Sequence, residues 1–350
     1  MARQDEPALR QSLERILPRV SNRQSAIAAI HSRPSEASSS YETHVLTVHL
    51  ADGRRFEVFL KNYGAVNEPA RAITRQGDEV GQMREREVRV YQGLLEDANL
   101  GTPKYYDMVW DESLETYWLL LEYVDGTVLR YLESNYYWIA AAGWLGRMHG
   151  YFARHARHLS QLDFLIRHDT HFFSAKAEAA LDVVSQVLPG SIGRFARIAN
   201  RYDQVVEAMV AHPPTLIHGS FRPRHIIVVS GGSQSMRVCA CDWERAAFGA
   251  PLYDLAYLTD GFKASTLDLM FEMYRQGAME FGMFVPQQEE MRCVVDCFRL
   301  HKIVHSLAKA PSLIPPNSSS ASSVRQYREE RILKLLARGE EIRDEIRGYS

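Results

Sequence analysis

Residues 218–227 read HGSFRPRHII, and this stretch is the strongest indication of fold in the chain. Its first half holds glycine, serine and proline, which favour a loop, and it continues into β-branched residues that favour a buried strand. A second strand-like run, RVCAC at residues 237–241, ends directly before Asp242, Trp243 and Glu244. The pattern predicts a loop, two short strands and an acidic residue in close succession.

The first 124 residues have the pattern of a small antiparallel sheet. Residues 6–17 predict a short helix that ends before Pro18. Strand-forming runs between residues 26 and 61 are separated by a serine-rich turn (residues 38–41) and by Asp52-Gly53, a hairpin signal. Three antiparallel strands are therefore predicted before the first long helix.

That helix is predicted for residues 82–95, which carry apolar side chains at helical spacing. Two more strands are predicted at residues 104–110 and 116–124, and Gly126 ends the pattern. We therefore assign residues 1–124 to a small lobe of antiparallel strands with one main helix.

The chain after Gly126 has a mostly helical pattern. Helices are predicted at residues 134–158, 176–210 and 252–308, with a break at Pro189-Gly190 in the second. Residues 125–311 are assigned to a helical lobe. Residues 312–350 are assigned to a Ser/Pro-rich linker (312–323) and a charged helix (324–347), which we expect to pack back on that lobe.

The composition excludes several kinds of partner. The chain has 350 residues, 46% of them apolar, which is enough for two lobes with real cores. Its net charge of -2 argues against a nucleic-acid partner. The longest apolar runs, such as residues 117–124, are too short to cross a bilayer, and residues 1–11 lack the apolar core of a secretory signal. We expect a cytoplasmic protein with no membrane or nucleic-acid partner.

The four cysteines do not have the spacing of a zinc site. Cys239 and Cys241 alternate on a predicted strand, and Cys293 and Cys297 are four residues apart on a predicted helix. We expect reduced, partly buried thiols.

Several motifs follow one another in a fixed order along the chain. The secondary structure predicted between them is compatible with this order, and the resemblance that they carry covers about residues 40–262. They are FLK ending at Lys61, EREVRVY with Glu87, the LLLEYVDG hinge with Glu122 and Val124, LGRMHG at 145–150, HGSFRPRH, CDWE with Asp242, and PLYDLAYL with Asp254.

This order resembles the aminoglycoside phosphotransferase/choline kinase-like family, whose fold is a variant of the protein kinase fold. His218, Gly219 and Pro223 match the family loop H-G-D-x-x-P-x-N, and Asp242 begins its D-W-E motif. The resemblance implies an α+β, bilobal protein-kinase-like fold. It also implies ATP or another nucleoside triphosphate with Mg²⁺ or Mn²⁺, and a small-molecule acceptor bound by the helical lobe.

The resemblance assigns roles to individual residues. Lys61 and Glu87 are similar to the strand lysine and helix glutamate that position the nucleotide phosphates. The backbone at Glu122 and Val124 corresponds to a hinge that bonds the base. Asp242 corresponds to a metal ligand, and Asp254 to the residue that braces the catalytic loop. A solvated strand-end lysine and a surface glutamate are the structural alternatives for the first pair.

Two positions depart from the family pattern. Ser220 stands where the family has its catalytic Asp, and His225 stands where it has a metal-binding Asn. A serine hydroxyl has no useful basicity at neutral pH, and general-base help is worth about 10²- to 10⁴-fold in rate. Imidazole is a softer ligand than an amide carbonyl, so His225 would favour Mn²⁺ or Zn²⁺ over Mg²⁺ or leave that position without metal. His225 as a packing residue remains the alternative.

The other polar residues of the loop complete the candidate catalytic set. Arg222 lies two residues after Ser220, where a guanidinium fork suits a γ-phosphate. Arg224 either does the same or faces solvent. His218 is grouped with these residues by the motif, although a hydrogen-bonded structural role is its simpler interpretation.

Three functions remain open from the sequence. The first is a pseudokinase-like binder of nucleotide or small molecule, with impaired or altered phosphotransfer. The second is an active small-molecule hydroxyl kinase in which Glu244 or another carboxylate replaces the missing base. The third is non-phosphoryl chemistry on the same fold, with Ser220 or His225 recruited for it.

Overall fold

The computed structural model describes residues 6–20, 25–36, 41–66, 77–113, 116–230, 236–310 and 321–347. These residues form two compact units, Met1–Thr127 with Ile227–Cys241, and Val128–Ile226 with Asp242–Ser350. The chain therefore leaves the first unit after Thr127 and returns to it for a single hairpin. The serine-rich turn predicted at 38–41 lies outside the described residues except for Tyr41, as does most of the linker predicted at 312–323.

The first unit is built on a five-stranded antiparallel sheet in the order β1-β2-β3-β5-β4. Among its described residues, two helices accompany the sheet, and a short π-helical turn, Tyr91–Leu95, extends the second. The elements are α1 (Glu6–Val20), β1 (Ile27–Pro34), β2 (Tyr41–Leu50), β3 (Arg55–Val66), α2 (Gly77–Val90), β4 (Tyr105–Asp111) and β5 (Thr116–Glu122). The predicted three-strand start and single main helix are confirmed.

The prediction that the first helix ends before Pro18 is wrong. Pro18 lies inside α1, which continues to Val20. A proline ring interferes with the turn that precedes it and removes one N–H donor. So close to the helix end, that missing bond does not stop the last residues from staying helical.

One face of the sheet is closed by α1. Leu9, Leu13 and Ile16 pack in a buried cluster with alternate residues of the central strands, including Val58 and Leu60 of β3. Successive side chains of a strand point to opposite faces. Lys61 therefore belongs to the other face of β3, away from α1.

The returning hairpin consists of β9 (Ile226–Val229) and β10 (Arg237–Ala240). It forms a second sheet in the order β10-β9-β6, where β6 is Thr127–Val128. A side chain at Gly126 would come within 2.7 Å of the Val228 carbonyl oxygen, so a glycine permits this close approach. The two short strands that the sequence predicted are confirmed.

The second unit is mostly helical. Its long helices are α3 (Asn135–Ala153), α5 (Thr170–Val187), α9 (Ala264–Met279), α10 (Gln288–Ala308) and α11 (Ala321–Arg347). Shorter helices are α4 (Ala156–Leu159), α6 (Ile192–Ala199), α7 (Tyr202–Val210) and α8 (Leu252–Leu258). Three short strands, β7 (Ile166–Arg167), β8 (Thr215–Ile217) and β11 (Ala247–Gly249), form a sheet in the order β7-β11-β8.

Small residues set the packing of α3 against α9. A side chain at Gly146 would lie 2.0 Å from the Tyr274 carbonyl oxygen, and one at Gly277 would lie 2.3 Å from the Gly143 carbonyl oxygen. The two backbones can approach this closely only because these positions lack a Cβ. This contact fixes His149 of α3 and Tyr274 of α9 relative to one another.

The predicted helices are present but more divided. The helix predicted at 134–158 ends at Ala153, and the one predicted at 176–210 is three helices. One of its breaks falls at Arg201, which has a left-handed backbone with φ of 62°. The prediction for 252–308 also resolves into three helices, with turns at Gly261 and Gly282 at positive φ.

The C-terminal helix α11 packs on α10, as expected from its apolar stripe. Glu340 of α11 also pairs with Arg194 at 2.6 Å and with Arg197 at 3.1 Å, both on α6. Within the described residues, no helix is long and apolar enough to cross a membrane. Cys239, Cys241, Cys293 and Cys297 are not in disulfide bonds, and Cys239 and Cys297 are buried, as the prediction of reduced, partly buried thiols requires.

Candidate active site

Lys61 and Glu87 form a buried ion pair in the first unit. Lys61 lies on β3 and Glu87 on α2, and their Nζ and Oε2 atoms are 2.6 Å apart. The two residues are 5% and 1% exposed. Separating the two side chains would leave an uncompensated charge on each of them, away from water. The ion pair therefore holds both side chains in one geometry. These are neither a solvated lysine nor a surface glutamate.

Tyrosines complete the surroundings of this pair. The Tyr63 hydroxyl donates to Glu87 Oε2 at 2.7 Å, and the Lys61 ammonium lies 5.3 Å from the Tyr63 ring centre and 5.4 Å from that of Tyr41. Sequence reasoning missed Tyr63. The signal was available, because Tyr63 is two residues after Lys61 on a strand and so shares its face.

The hinge residue Glu122 has its polar groups engaged by neighbouring chain segments. Its N–H donates to the Lys104 carbonyl oxygen at 2.9 Å, and its carboxylate accepts two bonds from Arg237, at 2.7 and 2.8 Å. Burial acts to raise the pKa of Glu122, but Arg237 and the Lys104 N–H outweigh it and the pKa is lowered. A contact from the Glu122 backbone to a nucleotide base would therefore have to use its carbonyl. Val124, the other predicted hinge residue, is buried.

Arg237 fixes this segment further. Its guanidinium also donates to the carbonyl oxygens of Gly101 and Thr102, at 2.9 and 3.0 Å. The residue comes from β10, more than a hundred positions further along the chain than Glu122. Nothing in the local sequence pattern indicates this pairing.

In the second unit, a buried carboxylate holds the start of the HGSFRPRH loop. Asp254 accepts hydrogen bonds from the backbone N–H groups of His218 at 2.6 Å and Gly219 at 3.0 Å. His149 lies 3.4 Å from the same carboxylate, and its other ring nitrogen is 2.9 Å from the Tyr274 hydroxyl. Burial lowers the pKa of His149, although Asp254 acts to raise it. A neutral His149 can therefore donate to Asp254 and accept from Tyr274.

Gly219 is required by the loop geometry. Its φ is +72°, and a Cβ at this position would lie 2.0 Å from the Arg245 carbonyl oxygen. Either condition alone disfavours a side chain. The glycine therefore fixes the direction in which the chain enters Ser220.

Stacked rings anchor the rest of the loop. Phe221 is buried and stacks on Trp144 with ring centres 5.6 Å apart and nearly parallel planes, and His218 lies 4.6 Å from Trp243. Ser220 lies between these two anchored residues and is itself 8% exposed. The loop around Ser220 is thus held by buried contacts on both sides.

His225 makes contacts through both ring nitrogens. Nδ1 is 2.9 Å from the Ser220 carbonyl oxygen, and Nε2 accepts from Arg224 Nε at 2.8 Å. Nε2 is also 3.2 Å from Asp242 Oδ2. Burial lowers the pKa of His225 to about 4 despite the nearby Asp242, so the ring is neutral at pH 7 and the Asp242 contact is not an ion pair there.

These contacts bear on two predictions for His225. Nδ1 is engaged by the Ser220 backbone and Nε2 by Arg224, and a Ser220–His225 nucleophile and base pair stays a prediction. Asp242 and His225 are a possible pair of metal ligands by distance alone. However, the described residues contain no group of three or more His, Cys, Asp or Glu side chains arranged to hold an ion.

The fit to a metal ion is therefore partial. Asp242 offers a carboxylate oxygen of the kind that Mg²⁺ prefers, and its backbone has a left-handed φ of 69°. The His225 nitrogen that would complete the pair already accepts from a cationic side chain. The metal role of His225 stays a prediction, and the Arg224 contact is the argument against it.

Arg222 extends over an aromatic ring of the same unit. Its guanidinium carbon lies 5.0 Å from the ring centre of Tyr257, and the Lys302 ammonium lies 4.5 Å from the same centre. Lys302 also pairs with Asp260 at 3.1 Å. Two cationic groups beside one ring provide a surface that suits an anionic group.

The predicted residues thus fall into two sets. Lys61, Glu87, Glu122 and Val124 belong to the first unit. His218, Ser220, Arg222, His225, Asp242 and Asp254 belong to the second. Sequence reasoning missed the supporting residues Tyr63, Tyr274 and Arg237.

A small antiparallel sheet with a lysine–glutamate pair, and a helical unit with an Asp-braced loop, define a protein-kinase-like fold. The model of the phosphotransferase enzyme family matches residues 36–285. The chain belongs to this family. A search of curated proteins finds no significant match to the sequence.

Solved structures share the fold at low sequence identity. A choline kinase from Cryptosporidium parvum is 12% identical over 91% of each chain, with a TM-score of 0.54. A macrolide 2'-phosphotransferase from Brachybacterium faecium is 14% identical over 92% of this chain and 98% of that one, with a TM-score of 0.53. A mutant aminoglycoside 2'-phosphotransferase in complex with GDP is 15% identical over 97% and 99%, with a TM-score of 0.51.

Proposed function

We propose that this protein, which has a protein-kinase-like fold, binds a nucleoside triphosphate and a small-molecule ligand. We further propose that its phosphoryl transfer is impaired. The observation that carries the proposal is Ser220 itself. It occupies the acid position of a loop whose supporting contacts, from Asp254 to the Phe221–Trp144 stack, are in place. The contacts that support the loop are retained, whereas the carboxylate that would accept the substrate proton is replaced by a hydroxyl.

Nucleotide binding is supported by the first unit. The Lys61 ammonium is held by Glu87 in the manner that a phosphate-binding lysine requires. The nucleotide is ATP or a related triphosphate, carried with Mg²⁺ or Mn²⁺. Asp242 is the residue we assign to that ion, and the ion supplies charge neutralisation on the phosphates when it is bound.

The reduction in rate follows from what Ser220 lacks. A carboxylate at this position accepts the proton of the attacking hydroxyl, and a serine cannot do so at neutral pH. Loss of a general base lowers rates by about 10²- to 10⁴-fold, while positioning and charge neutralisation remain. Slow transfer is therefore expected rather than none.

The ligand is a small molecule bound by the second unit. The related structures named above include enzymes for choline, macrolides and aminoglycosides. These acceptors differ so widely that the family alone does not define the ligand of this chain.

A thermal-shift titration tests the nucleotide half of the proposal. ATP with Mg²⁺ or Mn²⁺ is expected to raise the melting temperature of the wild-type chain, and Lys61→Met is expected to abolish the shift. Lys104→Met, which removes an exposed lysine of the same unit, is the matched control and is expected to leave the shift intact. No shift with any nucleotide and metal would reject nucleotide binding.

An active kinase is the second candidate, and the position of Glu244 favours it. Its carboxylate is close enough to the loop to act electrostatically on Arg224. If Glu244 replaces the missing base, wild-type protein will transfer radiolabelled phosphate to a hydroxyl acceptor and Glu244→Gln will not. Equal turnover in both forms rules out Glu244 as the base.

A further inference from the structure

Arg224 is hydrogen-bonded to Nε2 of the adjacent residue, His225, and this ring nitrogen also lies close to Asp242. The Arg224 Nε–H group donates to His225 Nε2 at 2.8 Å, and the same nitrogen lies 3.2 Å from Asp242 Oδ2. A guanidinium, an imidazole nitrogen and a carboxylate oxygen therefore meet at one point of the loop. All three residues belong to the second unit.

In a neutral ring, which carries a single proton, the contacts with Ser220 and Arg224 together favour one tautomer of His225 over the one that the Asp242 contact alone would favour. Nδ1 faces the carbonyl oxygen of Ser220, which can only accept, so Nδ1 carries the proton. Nε2 faces an arginine N–H, which can only donate, so Nε2 presents its lone pair. That lone pair is the one with which this imidazole would bind a metal ion next to Asp242.

Charge balance gives the contact a second role. Asp242 and Glu244 are the carboxylates that act on Arg224, and Arg130 and Arg222 are the like charges beside it. A cation is needed where a carboxylate and an imidazole lone pair lie 3.2 Å apart, because both present electron pairs. The Arg224 guanidinium supplies positive charge at this point without an ion.

We propose that Arg224 takes the place of a metal ion at the His225–Asp242 pair. Its N–H group occupies the His225 lone pair, and its charge compensates the Asp242 carboxylate. His225 is then a support for the Ser220 carbonyl and for Arg224, and Asp242 alone remains for an ion that arrives with a nucleotide. The statement that Asp242 alone binds the ion of a nucleotide rests on the proposed function. The statement that Arg224 prevents His225 from binding a metal ion does not depend on it.

A metal titration without nucleotide tests the proposal directly. Co²⁺ is added to the wild-type chain, to Arg224→Ala and to Arg224→Ala/His225→Ala, and the visible absorption of bound Co²⁺ is recorded. Loss of Arg224 frees an imidazole ligand, so Arg224→Ala is expected to bind Co²⁺ about tenfold more tightly than wild type or better. The double variant is expected to lose that gain.

Arg222→Ala is the matched control, because it removes a loop arginine that lies over Tyr257 rather than on His225. It removes a like charge but frees no ligand, so its gain in Co²⁺ affinity is expected to be much smaller than that of Arg224→Ala. Binding by wild type as tight as by Arg224→Ala, or equal gains in the two arginine variants, would overturn the proposal. Since no nucleotide is present, failure of ATP to shift the melting temperature has no bearing on this result.

Nuclear magnetic resonance of the wild-type chain gives a second measurement that needs no folded variant at Arg224. Selective ¹⁵N labelling of the 13 histidines, with His225→Asn used for assignment, reports which ring nitrogen carries the proton. Protonation at Nδ1 only, at neutral pH, is the expected result. A proton on Nε2 would contradict the proposal, because Arg224 could not then donate to it.

Discussion

The Asp254 carboxylate accepts a hydrogen bond from the backbone N–H of Gly219 at 3.0 Å, one residue before Ser220. Asp254 is fully buried. The conformation at the start of the loop is thus supported by a buried side chain from outside the loop. In the proposed function, this support allows a serine at the acid position without loss of the loop conformation.

Gly219→Ala is expected to destabilise the protein strongly. The new methyl group would meet the Arg245 carbonyl oxygen, and alanine is disfavoured at φ of +72°. Together these effects cost about 3 kcal/mol or more in the free energy of unfolding. Gly81→Ala is the control, because that helix position is open and alanine is expected to stabilise it by about 0.5–1 kcal/mol. Urea denaturation measures both, and equal stabilities would show that the loop tolerates a side chain.

Asp254→Ala is expected to destabilise through unpaired backbone donors. The change leaves the N–H groups of His218 and Gly219 buried without their acceptor, at a cost of about 2–5 kcal/mol. Asp182→Ala removes an exposed helix carboxylate and is expected to change stability by less than about 0.5 kcal/mol. Similar denaturation midpoints for the two variants would contradict the bracing role of Asp254.

The buried pair Lys61–Glu87 is expected to behave as a coupled unit. Lys61→Met strands the Glu87 carboxylate and should cost about 3–5 kcal/mol, whereas Lys61→Met/Glu87→Gln should recover most of that loss. The double variant keeps a group that can accept from the Tyr63 hydroxyl. Urea denaturation of the full mutant cycle gives the coupling energy, and strictly additive effects would show that the pair is not coupled.

Stability is expected to fall as the solution is acidified below pH 6.5, partly because of His305. Burial, with nearby Lys309 and His301, lowers the pKa of His305 from 6.5 to about 2. Below pH 6.5 the unfolded chain takes up a proton that the folded chain does not, so stability present above pH 6.5 is lost as pH falls toward 2. His305→Leu removes up to about 1.4 kcal/mol per pH unit of this slope. Unfolding measured at pH 6.5 and pH 5 checks it, and equal slopes for the two proteins would contradict it.

The sequence was a good guide where local pattern decides structure. Strand alternation and the Asp52-Gly53 turn predicted the first three strands, and the order of Lys61 before Glu87 predicted two side chains that are paired in the fold. These features depend on residues close in sequence or on a motif whose spacing is informative. Gly219 is another such feature, because the loop requires a positive φ and leaves no room for a Cβ at this position.

The features that were missed depend on contacts between distant segments or on backbone geometry without a sequence marker. Arg237 reaches Glu122 from a separate hairpin, and Tyr274 reaches His149 across a helix pair packed through glycines. The helix break at Arg201 has neither glycine nor proline to announce it. The sequence left open whether Arg224 reaches a γ-phosphate or faces solvent, and nothing in the local pattern indicates its contact with the His225 ring.

The most direct test of the central claim is the ATP hydrolysis and transfer rate of Ser220→Asp against wild type, with His225→Asn added in a further variant. If the frame is intact and only the acid is missing, Ser220→Asp restores the proton acceptor and raises the rate by about 10²-fold or more. Thermal shifts with ATP should be similar in the two proteins. An equal rate in both, with nucleotide bound, would show that Ser220 is not what limits phosphoryl transfer.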